Sequence, residues 1–230
     1  MNNNFIKASQ ALHEKNKNYG KVSEYFKKGS MKYELTIPKA VTSAAQVEPI
    51  SNLLDHGCGK GGLIELLKQD LSTLQEVSGY DPGVEEFRNK PTKKWDIVTS
   101  IDVLEHIGRD QIAFTLSEIS CLTSKFFFFC IDLLPASKKI EGRNAHFLIA
   151  PSDWWVQQIK IEFRVMTIIG VGEMQDGSPY PMHLFGCASK TTKYLKTMNE
   201  FLSNVRVANK RWVWNSERQT VEAYPPKKTD

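Results

Sequence analysis

The sequence predicts an α/β protein with a doubly wound, mostly parallel sheet that ends in an antiparallel hairpin strand. Three observations lead to this fold. Short apolar runs alternate with helical patterns between residues 52 and 132, and this order builds parallel sheets with right-handed crossovers. A glycine cluster directly follows the first apolar run. The last two runs, Val165–Val171 and His183–Ser189, have only the turn-rich Gly172–Pro181 between them, so they should pair antiparallel at one edge of the sheet.

The remaining strands are placed by their apolar runs and by the turn residues that bound them. They are Asn52–Asp55, Val77–Tyr80, Asp96–Ile101 and Phe126–Asp132.

Helices are predicted where apolar residues recur at helical spacing. One begins at the N-cap candidates Ser152 and Asp153 and runs through Ile159. The other predicted helices are Phe5–Lys17, Thr36–Ile50 (broken by prolines), Leu63–Leu71 and Gln111–Cys121.

Length and composition are those of an ordinary globular protein with one sizeable domain. It has 230 residues, 41% of them hydrophobic and 24% charged. We divide it into an N-terminal helical cap (1–50), a central domain (51–190) and a basic C-terminal extension (191–230). The first twenty residues lack an apolar core, and the run Phe126–Leu134 is about half as long as a membrane span. We therefore expect a cytoplasmic protein with no membrane partner.

The cysteine pattern argues against a metal site. The chain has four cysteines, and none belongs to a C-x-x-C pair. Three of them lie in apolar segments, as buried free thiols usually do. We expect reduced, structural cysteines and neither a zinc site nor disulfides.

The glycine cluster carries the first functional signal. The segment reads Leu53-Leu54-Asp55-His56-Gly57-Cys58-Gly59-Lys60-Gly61-Gly62. Glycines at a strand-to-helix turn let the backbone approach a ligand at the carboxyl end of the sheet. The segment resembles the first motif of class I (Rossmann-like) methyltransferases that use S-adenosylmethionine (SAM) and release S-adenosylhomocysteine (SAH). The resemblance implies that SAM is the cofactor and that Asp55, Gly57, Cys58 and Gly59 bind it.

Asp81 and Pro82 end the second predicted strand, and Asp81 stands 22 residues after Gly59. An acid at this point can accept hydrogen bonds from both hydroxyls of a ribose. The alternative is an ordinary turn aspartate before proline. We assign both residues to the cofactor site.

A second segment strengthens the resemblance, namely Trp95-Asp96-Ile97-Val98-Thr99-Ser100-Ile101-Asp102-Val103-Leu104-Glu105-His106-Ile107. It is similar to the fourth strand and following loop of the family. The likeness implies that Ser100, Ile101 and Asp102 line the methionine end of the cofactor, with His106 near the methyl acceptor. His106 can equally be a histidine bonded to backbone at a helix start. Only thirteen residues, Pro82–Lys94, precede this segment, so the third strand of the family is short or missing.

The loop after the Phe126–Asp132 strand offers candidate acceptor residues. It contains Arg143, a possible anion fork, and His146, whose neutral imidazole can accept a proton. Loops at this edge of a sheet often carry function. The alternative is a polar loop in which His146 caps Trp154 or Trp155.

The sequence therefore predicts an enzyme that moves the SAM methyl to an oxygen or nitrogen of a small or medium-sized acceptor, with His146 and His106 as catalytic candidates. Two alternatives stay open. One is a nucleic-acid methyltransferase, because the tail from Lys190 holds nine basic and four acidic residues and interleaves aromatics with charges as single-strand binders do. The other is a non-catalytic SAM-binding protein. The tail signal rests on Arg206, Lys210, Arg211, Trp212 and Trp214.

Overall fold

A computed structural model describes residues 10–11, 13–14, 37–71, 74–136, 139–140, 142–173, 179–198, 212–215 and 220–223. The helices are α1 (Ile37–Val47), α2 (Gly62–Asp70), α3 (Ile112–Leu122) and α4 (Ser152–Glu162). The strands are β1 (Asn52–His56), β2 (Glu76–Tyr80), β3 (Trp95–Ile101), β4 (Thr123–Asp132), β5 (Lys139–Ile140), β6 (Arg143–Asn144), β7 (Arg164–Glu173), β8 (Pro179–Ser189), β9 (Trp212–Asn215) and β10 (Thr220–Ala223).

Eight of these strands form one sheet in the order β2-β1-β3-β4-β8-β7-β10-β9. Strands β2, β1, β3 and β4 run parallel to one another. Strand β8 then inserts antiparallel between β4 and β7. Strands β5 and β6 form a separate two-residue ladder. The α/β class, the mostly parallel sheet and the antiparallel hairpin strand are confirmed.

The third strand of the family is absent, as the sequence predicts. Residues 81–94 are all described, and they contain one short 3-10 turn, Glu85–Phe87, in place of a helix and a strand. The amide of Asp81 donates to the carbonyl of Phe87 across 2.9 Å and closes this loop. Strand β2 is consequently the outer strand on its side of the sheet.

At the other side of the sheet the prediction is partly wrong. Strands β7 and β8 pair antiparallel, as expected, but β7 is not at the edge, because β10 pairs with it in parallel. Strand β9 then pairs antiparallel with β10. Two strands from the basic tail thus extend the sheet. The sequence alone does not predict them, because they are defined by backbone pairing between residues far apart in the chain.

The N-terminal helices also differ in detail. Helix α1 runs unbroken because Pro38 lies in its first turn, where an amide hydrogen has no partner inside the helix, and Pro49 follows its end. Of the predicted helix Phe5–Lys17, residues 10, 11, 13 and 14 are helical, and the rest lies outside the described residues.

The core consists of two apolar layers, one on each face of the sheet. Strand β4 feeds both layers, because successive side chains of a strand point to opposite faces. Phe126 and Phe128 pack with residues of α1 and α2, while Phe127 and Phe129 pack with residues of α3 and α4. All four rings are buried, which explains the continuous apolar run of a strand covered on both sides.

Two global expectations concern cysteines and membranes. All four cysteines are free thiols, and Cys121 alone among them is exposed. Within the described part of the chain, every helix is too short or too polar to cross a membrane.

Candidate functional site

The carboxyl ends of β1, β2, β3 and β4 meet at one edge of the sheet, where α/β proteins bind their ligands. The turn from β1 into α2 has three glycines with left-handed backbone: Gly57 (φ 87°), Gly59 (φ 52°) and Gly61 (φ 78°). A Cβ atom on Gly57 would lie 2.4 Å from a methyl group of Val103. The glycine turn therefore packs directly on the loop that follows β3, and a larger residue at Gly57 would push the two apart.

Asp81 ties the end of β2 to this glycine turn. Its side chain is buried and accepts hydrogen bonds from the amides of Gly59 (2.9 Å) and Gly83 (2.8 Å), with Pro82 in the turn between. A carboxylate has about four acceptor positions. Asp81 can therefore shape the turn and still accept further hydrogen bonds, so the turn and ribose interpretations are compatible.

Asp55 and Cys58 lie beneath the glycine turn. The Thr99 hydroxyl donates to Asp55 across 2.8 Å. Burial raises the pKa of Asp55 from 3.8 to about 7; the Thr99 hydrogen bond lowers it, and the Asp81 charge raises it further. The Cys58 thiol is buried and donates to the carbonyl of Gly59 (3.6 Å). Burial also raises the pKa of this thiol, so Cys58 is not a nucleophile.

The end of β3 presents two unusual residues. The Ser100 hydroxyl is buried and has no hydrogen-bond partner among the residues that the structure describes. Asp102 adopts a left-handed φ of 52°, which is uncommon outside glycine and is enriched at functional sites. Its amide donates to the Cys130 carbonyl (2.9 Å), and the Cys130 thiol donates to its carboxylate (3.3 Å). Ile101, between them, is half-buried.

His106 and His146 are brought together on the far side of this loop. Their ring centroids lie 4.8 Å apart, with the planes at 82°. Nδ1 of His106 lies 2.7 Å from the Ala145 carbonyl, and Nδ1 of His146 lies 2.5 Å from the Leu134 carbonyl. A carbonyl only accepts, so both Nδ1 atoms carry the proton. Burial and the neighbouring His146 lower the pKa of His106 to about 4, so its neutral ring keeps a lone pair on Nε2.

Glu105 completes the group, although the sequence analysis assigned no role to this residue. Its side chain is fully buried. One carboxylate oxygen accepts from the amide of Asp132 (3.0 Å), and the other has no hydrogen-bond partner in the described part of the chain. Burial and the charge of Asp102 raise its pKa well above the usual value. One possible ligand atom from each of Glu105, His106 and His146 lies within 4.8 Å of the others.

Backbone contacts made by Asn144 hold the loop that carries His146. The Asn144 side-chain oxygen accepts from the amides of Ala136 (3.0 Å) and His146 (2.9 Å), and its nitrogen donates to the Ala136 carbonyl (2.9 Å). The amide of Leu148 donates to the carbonyl of Glu105 (2.9 Å). The sequence offered one signal for Glu105, an acid within an apolar stretch, and none for Asn144.

Several other predicted contacts turn out differently. Trp155 is fully buried, and Trp154 packs under the Arg109 guanidinium at 4.6 Å. The Trp155 indole nitrogen has no described partner, and His146 bonds Leu134 instead. Of the two indoles that the alternative interpretation named for His146, Trp155 therefore has no hydrogen bond from it. Arg143 is exposed on β6.

Some predictions fall outside the description. The described residues do not include Arg206, Lys210 and Arg211, nor the side chains of β9 with its two tryptophans. Nucleic-acid binding by this tail stays a prediction.

Comparisons with known proteins agree with the fold. A family profile described as a methyltransferase domain matches residues 13–160. The solved structure of the plantazolicin methyltransferase BpumL with SAH superposes with a TM-score of 0.53 at 13% identity, covering 81% of this chain and 95% of that one. BpumL with a pentazolic desmethylPZN analogue and SAH gives 0.51 at 14%, covering 81% and 97%. The DhpI–SAH complex gives 0.51 at 12%, covering 84% and 100%. No curated protein sequence matches the chain.

Proposed function

The chain belongs to the methyltransferase-domain family, and we propose that this SAM-dependent enzyme methylates an oxygen or nitrogen of a small or medium-sized acceptor. The observation that carries the proposal is the glycine turn closed by Asp81 at the carboxyl edge of the sheet. Three neighbouring structures of the same fold hold SAH, and one of these also holds a pentazolic desmethylPZN analogue.

The residues at the sheet edge fit the cofactor. The three glycines of the turn adopt left-handed backbone, and the missing Cβ at Gly57 lets the turn pack against Val103. Glycine at such a turn also lets the backbone approach a ligand closely. Asp81 supplies a carboxylate for the ribose hydroxyls. The buried Ser100 hydroxyl, without a described partner, would be satisfied by a polar group of the methionine end. The proposed cofactor site also includes five further residues of this edge: Asp55, Cys58, Pro82, Ile101 and Asp102.

SAM supplies a methyl group on a sulfonium, so the S–CH₃ bond breaks with its electron pair left on sulfur while the acceptor forms its bond to the methyl and loses a proton. The protein then has to align donor and acceptor, which is a large source of rate enhancement by itself. We place the acceptor against His106 and His146. Their Nε2 atoms promote loss of the acceptor proton.

The division of the chain is part of this proposal, with residues 51–190 as the catalytic domain and residues 1–50 as a cap. One contact supports the cap. The Lys60 ammonium, in the glycine turn, donates to the carbonyl of His13 across 3.0 Å, and His13 itself is buried. The N-terminal segment therefore touches the cofactor edge of the sheet.

Calorimetric titration of the full chain with SAM, SAH and NAD tests the cofactor. We expect one site for SAM and SAH and no heat with NAD, because the Rossmann-like sheet alone is shared with dehydrogenases. Methyl incorporation from labelled SAM into a metabolite extract tests turnover. Binding of NAD in place of SAH would overturn the proposal, and SAH binding without any incorporation would favour a non-catalytic SAM-binding protein.

A further inference from the structure

Three side chains of the types that commonly bind metal ions lie close together on the acceptor side of the site. One ligand atom from each of Glu105, His106 and His146 lies within 4.8 Å of the other two. Three protein ligand atoms each about 2.0–2.2 Å from one zinc ion lie at most about 3.8 Å from one another. Inward shifts of roughly 0.6–0.8 Å or less by each side chain would therefore gather all three around one ion.

The two histidines are oriented as metal ligands are. Each donates Nδ1–H to a backbone carbonyl, His106 to Ala145 and His146 to Leu134. Metal-binding histidines almost always fix their other nitrogen in this manner, because it sets the tautomer and the ring orientation. The nitrogen left with a lone pair on each ring is Nε2.

Glu105 supplies an independent reason for a cation. The side chain is fully buried, and one of its oxygens lacks any described partner. A buried carboxylate is stable only when it is paired, coordinated or protonated. Two further carboxylates, Asp102 and Asp132, lie close enough to Glu105 to act on its charge, so a cation at this point would be attracted by three carboxylates.

We propose that Glu105, His106 and His146 hold a divalent transition-metal ion that binds the oxygen of a hydroxyl acceptor. Two imidazoles and one carboxylate suit Zn²⁺, Co²⁺ or Mn²⁺ better than Mg²⁺ or Ca²⁺. Three protein ligands leave coordination positions open, as in catalytic rather than structural sites. The inference rests on the proposed function and narrows it, because it selects oxygen over nitrogen.

The ion explains how the histidines would promote proton loss. A bound divalent ion lowers the pKa of water from 15.7 to about 7, and an alcohol or phenol oxygen is acidified in the same way. The acceptor proton then passes to solvent, the oxygen forms the new bond to the methyl carbon, and the sulfur keeps the electron pair of the broken bond. No protein side chain needs to accept the proton directly.

Titration of the chelator-treated full chain with Co²⁺, followed by visible absorption, tests the site. We expect one bound ion in the wild type. The affinity should be at least tenfold weaker in both Glu105→Gln and His146→Ala, since even ligand-supporting residues contribute 10- to 100-fold. The matched control is His183→Ala, because His183 stacks on Phe185 of β8 and lies outside the cluster. Equal Co²⁺ affinity in all four proteins, or none in the wild type, would overturn the site.

SAH titration and methyl incorporation on the same samples separate this inference from the methyltransferase itself. SAH binding by each variant, equal to that of the wild type, shows that the donor side is folded. We expect chelation to abolish incorporation and Zn²⁺ or Mn²⁺ to restore it. Equal rates with and without chelator would overturn the metal role while leaving the methyltransferase intact. Absence of SAH binding would instead remove the proposed function, whatever Co²⁺ does.

Discussion

The donor and acceptor sides of the site are built in different ways. On the donor side, backbone conformation determines the shape: three left-handed glycines form a turn, and Asp81 accepts a hydrogen bond from the amide of Gly59 within it. On the acceptor side, the shape is determined by side chains. His106 and His146 come from segments forty residues apart and are held by hydrogen bonds to backbone carbonyls and to Asn144. A substitution on the donor side should change the shape that binds the cofactor, and one on the acceptor side should change the chemistry with little effect on SAH.

The largest effect is expected for His146→Ala. The ring is replaceable without loss of a core residue, yet it lies at the centre of the proposed acceptor chemistry. Methyl incorporation into a metabolite extract should fall by about 100- to 10,000-fold, which is the usual contribution of a group that promotes loss of a proton in the reaction. SAH affinity, measured by calorimetry, should stay within about twofold, because every donor-side contact is retained.

His183→Ala serves as the control for the loss of an imidazole near this edge. If His146→Ala unfolds at a lower temperature but keeps its rate per folded molecule, His146 only packs the loop. His106→Ala would then have to show the rate loss for the acceptor side to remain where we place it.

A smaller effect is expected for the pH dependence of stability. Burial raises the pKa of Asp55 from 3.8 to about 7, so the folded protein holds this proton more tightly than the unfolded chain. The resulting stabilisation is complete below pH 3.8 and is lost as the pH rises through 7. The loss should be on the order of 4 kcal/mol. Asp55→Asn cannot titrate and should not lose it.

Denaturant unfolding at pH 5 and pH 8, without cofactor, measures the part of this loss that falls above pH 5, which is about 3 kcal/mol. The free energy of unfolding of the wild type should fall relative to that of Asp55→Asn over this interval. Asparagine keeps an oxygen for the Thr99 hydroxyl, so the hydrogen bond to Thr99 is matched in the two proteins. Parallel pH dependences would mean that Asp55 is ionised in the folded protein at both pH values.

The smallest effect is expected for Asp81→Ala. Hydrogen bonds to a charged acceptor contribute about 1.5–3 kcal/mol, so SAM and SAH affinity should fall roughly tenfold to a hundredfold. Calorimetry gives the affinity, and thermal unfolding shows whether the turn itself survives. A variant that folds and binds SAH as tightly as the wild type would reduce Asp81 to a turn residue.

The same contrast explains how much of the molecule the sequence can predict. The glycine turn and Asp81 can be predicted from the sequence because a strand, a turn and a helix follow one another along the chain. Their conformation depends on local backbone preferences. The absence of the third strand can be predicted because the Pro82–Lys94 segment is too short for a helix and a strand. The sequence alone does not predict that Glu105 and His146 form a cluster, because the position of His146 depends on hydrogen bonds made by the Asn144 side chain.

The tail shows the same limit on a larger scale. Its basic and aromatic residues predict a binding arm, whereas the backbone of Trp212–Asn215 and Thr220–Ala223 joins the sheet beside β7. Pairing between strands some fifty residues apart depends on which edge is open. Local propensity contains no information about that edge.

The most direct test measures SAH affinity and methyl incorporation together in Asp81→Ala and His146→Ala. If the two sides are built as described, Asp81→Ala loses SAH affinity and regains most of its rate at saturating SAM, because its acceptor side is intact. His146→Ala keeps SAH affinity and stays slow at any SAM concentration. If instead both variants lose affinity and rate in parallel, donor and acceptor sides form one undivided site, and the separation proposed here is wrong.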